Sequence, residues 1–386
     1  MRAPIRMATI SSLVVAFALF APWAKAAGGA PAKEWAILTF LNGFNNLDSF
    51  GELDMNEMEK IGSTDRIHVV VQWASLKTRQ AKRVYVQKDG DSRNVTSPVL
   101  ENLGQADMGD YRNLVDFVRW AARNYPAKRY FVNIWNHGNG WRRTPGAPPT
   151  SRDVSYDDLS GNRITTEQLG LAAAEISWEL GQKVDIMASD SCLMAMAEVV
   201  GQMKENIDHF VGSQEVEPAD GWPYDKFLAK MNRGGEKTPT EVARILTDVY
   251  HASYPGQNQI TLSGMDMAAY PELAASVRAL AISIRSASLP ARTQSFAAAG
   301  RAQSYLNDDY KDLGDLVDQL AKETLLGIRP DYFLNVKEAL RKFVVANRTS
   351  HDYARSQGVA IWFPKAGWQL DAHRERYRAL AFNQDT

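Results

Sequence analysis

The segment "IWNHGNGW" (residues 134–141) begins as a strand and ends as a loop that contains a histidine. The preceding residues, "RYFVN", continue the strand pattern, and two glycines and two tryptophans flank His137. Asn and Gly are turn residues, so we expect the strand to end near Asn136. A loop histidine either stabilises a turn or acts as an acid–base group, and the rest of the chain must decide between these roles.

Strand patterns alternate with helical patterns on both sides of this segment. Buried strands are predicted at "EWAILTFLN", "IHVVVQWA" and "VDIMASDSC", an edge hairpin at "KRVYVQKDG", and helices at "YRNLVDFVRWAARNY" and "TTEQLGLAAAEISWEL". Several further helices are predicted between residue 270 and the C-terminus. The alternation predicts an α/β fold, in which a mostly parallel central sheet has helices on both faces and additional helices follow at the C-terminal end.

Two of the predicted strands end in residues that can carry chemistry. One strand leads to His137 and another to Asp190, Ser191 and Cys192. Ligands of parallel sheets bind beyond the carboxyl ends of the strands, so these residues should lie at the same edge. The pattern "LMAMAEVVGQM" predicts a helix that starts directly after Cys192, where the helix dipole would favour the thiolate.

Cys192 is the only cysteine in the chain, so it cannot form an internal disulfide. It is either a small buried apolar residue or a nucleophile that pairs with His137. In the second case the amides of Gly138 and Cys192 could form an oxyanion hole. Asn136 or Asn139 could orient the imidazole, or could simply hold the turn.

Five blocks of sequence together resemble the clostripain family of cysteine peptidases, within the caspase-like clan. They are "WNHGNGW", "SDSCLMAMAEV", "VGSQEVEPADGWPY", "DLGDL" and "GVAIWFP", in the order that the family has them. The resemblance implies that His137 is the acid–base partner and Cys192 the nucleophile. It also implies cleavage after Arg or Lys, with Asp190 and Asp220 in an acidic S1 pocket. The alternatives are a helix cap for Asp190 and a turn for Asp220.

The loop at residues 142–163 is rich in Pro, Gly, Ser and Arg. The resemblance implies self-cleavage between the histidine and cysteine blocks, and the loop offers the basic residues that an acidic pocket would accept. We predict a cut at Arg152–Asp153 first and at Arg143–Thr144 second. An uncut surface loop is the alternative.

The N-terminus has the pattern of a secretory signal peptide. Arg2 and Arg6 precede a short apolar stretch and an Ala-Lys-Ala motif at residues 24–26. We therefore predict a signal peptide at 1–26, a linker at 27–33 and a peptidase domain at 34–386, exported to the periplasm or beyond the cell. An uncleaved anchor is the alternative; no later segment is long and apolar enough to cross a membrane.

The composition limits the classes of partner and cofactor that the protein is expected to bind. The formal charge is −1 with both signs well mixed, which does not favour nucleic acid as a partner. No His or Cys spacing indicates a metal site, and no cofactor is required by the sequence. Calcium is implied by the resemblance alone, and the segments "NNLD" (45–48) and "QADMGDY" (105–111) offer oxygen ligands without forming a recognised calcium loop.

Two other functions fit the same residues. A caspase-like scaffold could serve as a catalytically silent binding module of the cell envelope, because fold alone does not establish catalysis. A transpeptidase would use the same acyl-enzyme and pass it to an amine instead of water. The oligomeric state does not follow from the sequence.

Overall fold

The computed structural model describes residues 32–142, 153–323, 327–365 and 367–386. The predicted signal peptide and the candidate self-cleavage residues Arg143 and Arg152 lie outside this part of the chain. The first strand begins at Lys33, the last residue of the predicted linker.

The described residues form eleven strands. They are β1 (Lys33–Gly43), β2 (Ile67–Ser75), β3 (Gln80–Tyr85), β4 (Val99–Gly104), β5 (Ala127–Trp135), β6 (Val184–Asp190), β7 (Ile207–Gly212), β8 (Thr261–Asp266), β9 (Tyr310–Asp312), β10 (Val344–Thr349) and β11 (Ala360–Trp362). Nine of them make one sheet in the order β10-β8-β7-β6-β5-β1-β2-β3-β4, and β9 and β11 pair separately.

The helices fill the connections between these strands. They are α1 (Asp48–Glu59), α2 (Tyr111–Asn124), α3 (Thr166–Leu180), α4 (Ala197–Gly201), α5 (Tyr224–Met231), α6 (Pro239–Ser253), α7 (Tyr270–Ser286), α8 (Leu289–Arg301), α9 (Leu313–Ala321), α10 (Pro330–Phe343), α11 (Gly367–Ala379) and α12 (Ala381–Asp385). No helix in the described ranges combines the length and the apolar composition that a membrane span needs.

The predicted α/β class is confirmed. Strands β2, β1, β5, β6 and β7 are parallel to one another and form the centre of the sheet. Antiparallel strands extend it on both sides, β3 and β4 on one and β8 and β10 on the other. The parallel centre brings the carboxyl ends of β5 and β6 to one edge.

Two apolar layers hold the helices against the sheet. Successive side chains of β1 point to opposite faces, so Leu38 and Phe40 pack in one layer while Ile37 and Leu41 pack in the other. The first layer also takes residues of α2, α3 and the C-terminal helices, and the second takes α1, α5 and α6. Both faces of β1 are therefore buried, as its continuous apolar sequence indicates.

Local signals fix several helix ends. Thr165 caps α3 through a capping box with Gln168, and the left-handed Gly181 follows its last turn.

Three predicted elements differ from the structure. The edge hairpin at "KRVYVQKDG" contains β3, but the edge strand is β4, which the sequence analysis did not identify. In the region after residue 270, for which helices are predicted, α10 ends at Phe343 and strand β10 follows directly. The helix predicted directly after Cys192 does not begin until Ala197.

Candidate active site

The register of β5 and β6 brings His137 and Cys192 to the same place along the sheet edge. Trp135 pairs with Asp190 in the parallel ladder, and each of the two candidate residues follows two positions later. The amide of Asn136 donates to the carbonyl of Asp190 at 3.2 Å and extends the contact beyond the ladder. One cleft is lined by His137, Cys192 and Asp190, together with Leu47, Trp135, Asn136, Ser191, Val216, Glu217, Pro218, Ala219 and Gly221.

Gly138 lies directly against the backbone of Cys192. A β-carbon added to Gly138 would stand 2.4 Å from the carbonyl oxygen of Cys192, so only glycine fits without a backbone shift. Among the described residues, neither the amide of Gly138 nor that of Cys192 donates to a backbone carbonyl, and the amide of Cys192 is directed to its own sulfur. Both amides can therefore serve a ligand oxygen in the cleft.

The surroundings of Cys192 differ from the prediction. Residues 191–196 contain a bend, a turn and an isolated bridge but no helix, so the thiol is not at a helix N-terminus, and the expected activation by a helix dipole is wrong. The amide of Glu217 donates to the Cys192 sulfur at 3.4 Å. Burial raises the pKa of the thiol, and the carboxyls of Glu215 and Asp190 raise it further. The unliganded site thus favours the neutral thiol.

His137 has one identified side-chain partner. Its Nε2 atom lies 2.7 Å from Oδ1 of Asn46, a residue in the turn after β1. Burial lowers the pKa of the imidazole, while nearby Asp158 raises it by a smaller amount. The amide oxygen of Asn46 favours the Nε2–H tautomer, which leaves Nδ1 as the basic atom.

The two asparagines considered as orienting groups have other partners. The side-chain amide of Asn136 donates to the carbonyl of Asn42 and accepts from the amide of Tyr156. That of Asn139 contacts Arg142 and Asn307. Asn46 was missed because only the fold brings the turn after β1 to His137. The one signal in the sequence was its position just beyond the carboxyl end of a predicted strand.

Asp190 is a buried carboxyl at the base of the cleft. Its Oδ2 accepts from the hydroxyl of Tyr224 at 2.6 Å and from the amide of Trp222 at 3.3 Å. Burial raises its pKa, and these two hydrogen bonds favour the anion. Because no helix begins at Cys192, Asp190 is not a helix cap.

The structure does not bring Asp220 into this cleft. Asp220 is exposed and lines a neighbouring cavity with Asp54 and Glu57. Glu217, in the same loop, lines the cleft itself and is buried. Sequence reasoning missed Glu217, although it stands in the quoted block "VGSQEVEPADGWPY", because that block contains three acids, and no local pattern shows which of them points into the cleft.

The ends of the predicted processing loop are tied down. Arg142 is buried in a two-pronged ion pair with Asp309. Asp153, on the other side, is buried against Arg163 and against Arg376 of α11. The backbone is thus anchored immediately next to the residues that lie outside the described ranges.

The two segments that offer oxygen atoms to calcium, without forming a recognised calcium loop, use their carboxylates within the protein. Asp48 accepts from the amide of Lys77, and Asp107 accepts from the amide of Gly109 and from side chains of Ser160 and Asn162. The described residues contain no cluster of three or more His, Cys, Asp or Glu side chains arranged to hold a metal. These segments therefore do not fit a calcium ion, and no chemical step is assigned to one.

Comparison with known structures identifies the same architecture. A secreted C11 cysteine protease from Bacteroides thetaiotaomicron, solved with an irreversible peptide inhibitor, aligns with a TM-score of 0.70 and 20% identity over 92% of this chain and 99% of that one. An inactive zymogen C11 protease from Parabacteroides distasonis aligns with a TM-score of 0.69 and 19% identity over the same shares. At these identities the likeness concerns the fold, which is that of the C11 cysteine proteases.

The sequence comparisons give the family. The sequence model of the clostripain family matches residues 39–373, and the chain belongs to this family. Clostripain from Hathewaya histolytica is 34% identical over 138 residues, which make up 34% of this chain and 26% of that protein. The chain thus matches about a quarter of the length of that curated relative.

Proposed function

We propose that this protein is an exported cysteine endopeptidase that cleaves after Arg or Lys, with Cys192 as nucleophile and His137 as acid–base partner. The main observation in support of this proposal is that Cys192, His137 and the buried carboxyl of Asp190 line the same cleft. No Lys or Arg lines that cleft in the described part of the chain. A buried carboxyl without a cation is well suited to bind a basic side chain.

The shifted pKa values favour a mechanism that starts from neutral groups. With the pKa of Cys192 raised and that of His137 lowered by burial, thiol and imidazole are both neutral near pH 7. His137 accepts the thiol proton as the sulfur attacks the scissile carbonyl, and the amides of Gly138 and Cys192 stabilise the oxyanion. His137 then protonates the leaving amine, and water hydrolyses the acyl-enzyme.

Export is supported by the signal-peptide pattern in residues 1–26 and by the Bacteroides relative, which is described as secreted. Protein or peptide chains with an accessible Arg or Lys are the proposed substrates. A peptide inhibitor occupies that same relative, which supports a peptide-binding cleft in the fold.

Fluorogenic peptides that differ only at P1 test this proposal. Peptides with Arg or Lys should be cleaved with kcat/KM at least about 100-fold above the neutral isosteres citrulline and norleucine, because only a cation satisfies the buried carboxyl. Equal cleavage of all four would contradict the basic preference. A protein that cleaves none of them, yet binds peptides, would favour the silent binding module.

Asn46 is expected to act as a positioning residue for His137. Replacing Asn46 with Asp places a carboxylate beside Nε2 and should raise the pKa of the imidazole. Since the base must be neutral, the acidic limb of the kcat/KM profile should move to higher pH by about one unit. Asn46→Ala should lower kcat about 10-fold with little change in KM.

The matched control is Asn94→Asp, which adds the same charge at an exposed turn. Its pH profile should coincide with that of the wild type. An unchanged profile for Asn46→Asp would show that His137 does not depend on this contact.

Self-cleavage in the 142–163 loop is proposed to occur at Arg143 in preference to Arg152. Asp153, whose own amide would be cut after Arg152, would have to leave ion pairs with two arginines before that bond could enter the cleft. The bond after Arg143 is one residue further from an anchored position, since only Arg142, paired with Asp309, would have to move. Activation by cutting is supported by the Parabacteroides relative, which is described as an inactive zymogen.

Arg143→Gln should therefore abolish a fragment that begins at Thr144, while Arg152→Gln should leave it in place. Intact mass spectrometry of purified wild type, both variants and Cys192→Ala would identify each new terminus. A fragment beginning at Asp153 in the wild type would show that Arg152 is preferred to Arg143. A cut in Cys192→Ala would show that another protease cleaves the loop.

A further inference from the structure

Glu217 carries a buried oxygen atom that no donor reaches. The residue is only 8% exposed, and its Oε1 accepts from the indole of Trp222 at 3.4 Å. Its Oε2 is enclosed and has no hydrogen-bond donor among the described residues. Buried polar atoms are almost always paired, so an orphaned carboxyl oxygen beside a nucleophile requires a physical explanation.

The explanation is the neighbouring carboxyl. Trp222 bridges the two acids in the cleft that both of them line, because its amide donates to Asp190 at 3.3 Å and its indole donates to Glu217 at 3.4 Å. The two side chains are thereby held within hydrogen-bonding reach of each other. Two carboxylates are both acceptors, so this contact is a hydrogen bond only when one of them carries a proton. A shared proton turns the orphaned carboxyl of Glu217 into a donor and removes the repulsion between two buried anions.

The surroundings assign that proton to Glu217. Asp190 receives hydrogen bonds from Tyr224 and Trp222, both of which stabilise its anionic form. Burial raises the pKa of Glu217 well above its usual range, and the charge of Asp190 raises it further. Asp190 is thus the anion of the pair and Glu217 the acid.

No cation in the described structure compensates this pair. Asp54 of α1 is a third buried carboxyl; Gly221 separates it from Asp190, and the indole of Trp135 donates to it at 2.6 Å. The remaining titratable groups that face the cluster are Cys192, Glu57, Asp220, Tyr224, Tyr250 and Tyr254. All of them are acids or weak acids. Among the described residues that line the cleft, the one base is His137, and burial lowers its pKa, so the cluster lacks positive charge near pH 7.

We propose that Glu217 is the second carboxylate of the S1 pocket and that a basic P1 side chain enters by displacing the proton shared with Asp190. This inference rests on the proposed cleavage after Arg or Lys. A guanidinium or ammonium supplies the donors and the positive charge that the proton supplies in the free protein. Binding of the cation and release of one proton are therefore linked.

The linkage makes recognition depend on pH in a defined direction. At low pH a proton competes with the substrate for the acid pair, and at higher pH the proton leaves more readily. The affinity for Arg and Lys should rise with pH, whereas that for citrulline, which carries no charge, should not follow this rise.

Glu217→Gln is the informative variant, because glutamine keeps the shape and the hydrogen bond of the protonated acid but cannot become an anion. Its kcat/KM for an Arg peptide should be close to that of the wild type near pH 5.5 and at least about 10-fold lower near pH 8. Asp220→Asn tests the other candidate carboxylate, and it should lower kcat/KM for the Arg peptide less than Glu217→Gln does near pH 8. Asp248→Asn, on the surface of α6, controls for loss of a distant charge.

Calorimetry measures the proton directly. We would titrate Cys192→Ala with an Arg peptide in phosphate and in Tris at the same pH. Because the two buffers have different ionisation enthalpies, the binding enthalpies should differ by the amount expected when about one proton is released to the buffer. A citrulline peptide should show no such difference, and neither should the Arg peptide with the Cys192→Ala/Glu217→Gln double variant.

The outcomes separate the two proposals. Suppose that the wild type cleaves Arg peptides, but that the binding enthalpy does not depend on the buffer, or that Asp220→Asn lowers kcat/KM more than Glu217→Gln does. The inference about Glu217 is then overturned, while the proposed function stands. If the wild type discriminates neither Arg nor Lys from their neutral isosteres, the proposed function fails and this inference fails with it.

Discussion

Replacing Cys192 with alanine is expected to reduce cleavage of Arg and Lys peptides by at least about 10⁴-fold, because the replacement removes the only sulfur nucleophile in the chain. The side chain lies partly buried in the cleft, and alanine leaves unchanged the hydrogen bonds that the following amides of Leu193 and Ala195 donate to the carbonyls of Glu215 and Ser213. The fold should therefore survive. Thermal unfolding and circular dichroism of the variant check that point alongside the activity assay.

The chain offers a matched test of the same residue by labelling. With one cysteine, any thiol modification reports on Cys192 alone. Since burial raises the pKa of the free thiol, labelling by iodoacetamide should be slow near pH 7, and a peptide chloromethyl ketone with a P1 Lys should react much faster. Equal rates for the two reagents, or full activity of Cys192→Ala, would remove Cys192 from the mechanism.

Gly138→Ala is expected to lower kcat by about 10²–10³-fold, the loss typical of a displaced oxyanion donor. Gly138 does not adopt a left-handed conformation, so alanine suits its backbone angles. The expected loss of kcat has a steric cause, because the new β-carbon would stand 2.4 Å from the carbonyl oxygen of Cys192. The two segments must move apart, and both proposed oxyanion amides move with them.

The control for this variant is Gly300→Ala in α8, where an added β-carbon meets no neighbour within 4 Å. It should keep full activity and show equal or greater stability, because alanine favours helix. KM for Gly138→Ala should change less than kcat. A variant with wild-type kcat would show that neither the amide of Gly138 nor its distance from Cys192 matters for the reaction.

Much of the fold was predictable because it depends on short-range patterns. The continuous apolar run of β1 indicates a strand buried on both faces, and the sheet has it at its centre. Thr165 and Gln168 form a capping box that is readable over four residues. The edge strand β4 was not predictable in this way, since its exposed residues carry no clear alternation and its pairing depends on β3.

Around Cys192, short-range sequence patterns predicted the wrong secondary structure. The residues after it have helical composition, yet Ala195 donates to Ser213, and Ala360 of β11 donates to Ala195. These backbone hydrogen bonds join segments far apart in the chain, and they outweigh the weak local preference for helix. The helix starts four residues later than predicted, at Ala197 instead of Leu193, and the thiol therefore lacks the helix dipole that the prediction assigned to it.

The sequence by itself determined the α/β class and the two strand ends that carry His137 and Cys192, because strand and helix periodicities are local and parallel strands align their carboxyl ends. Only the tertiary structure decided which groups surround them. Asn46 reaches His137 from another loop, and Glu217, rather than Asp220, turns inward to Asp190. Side-chain direction within a loop depends on packing against distant residues, and no local pattern encodes it.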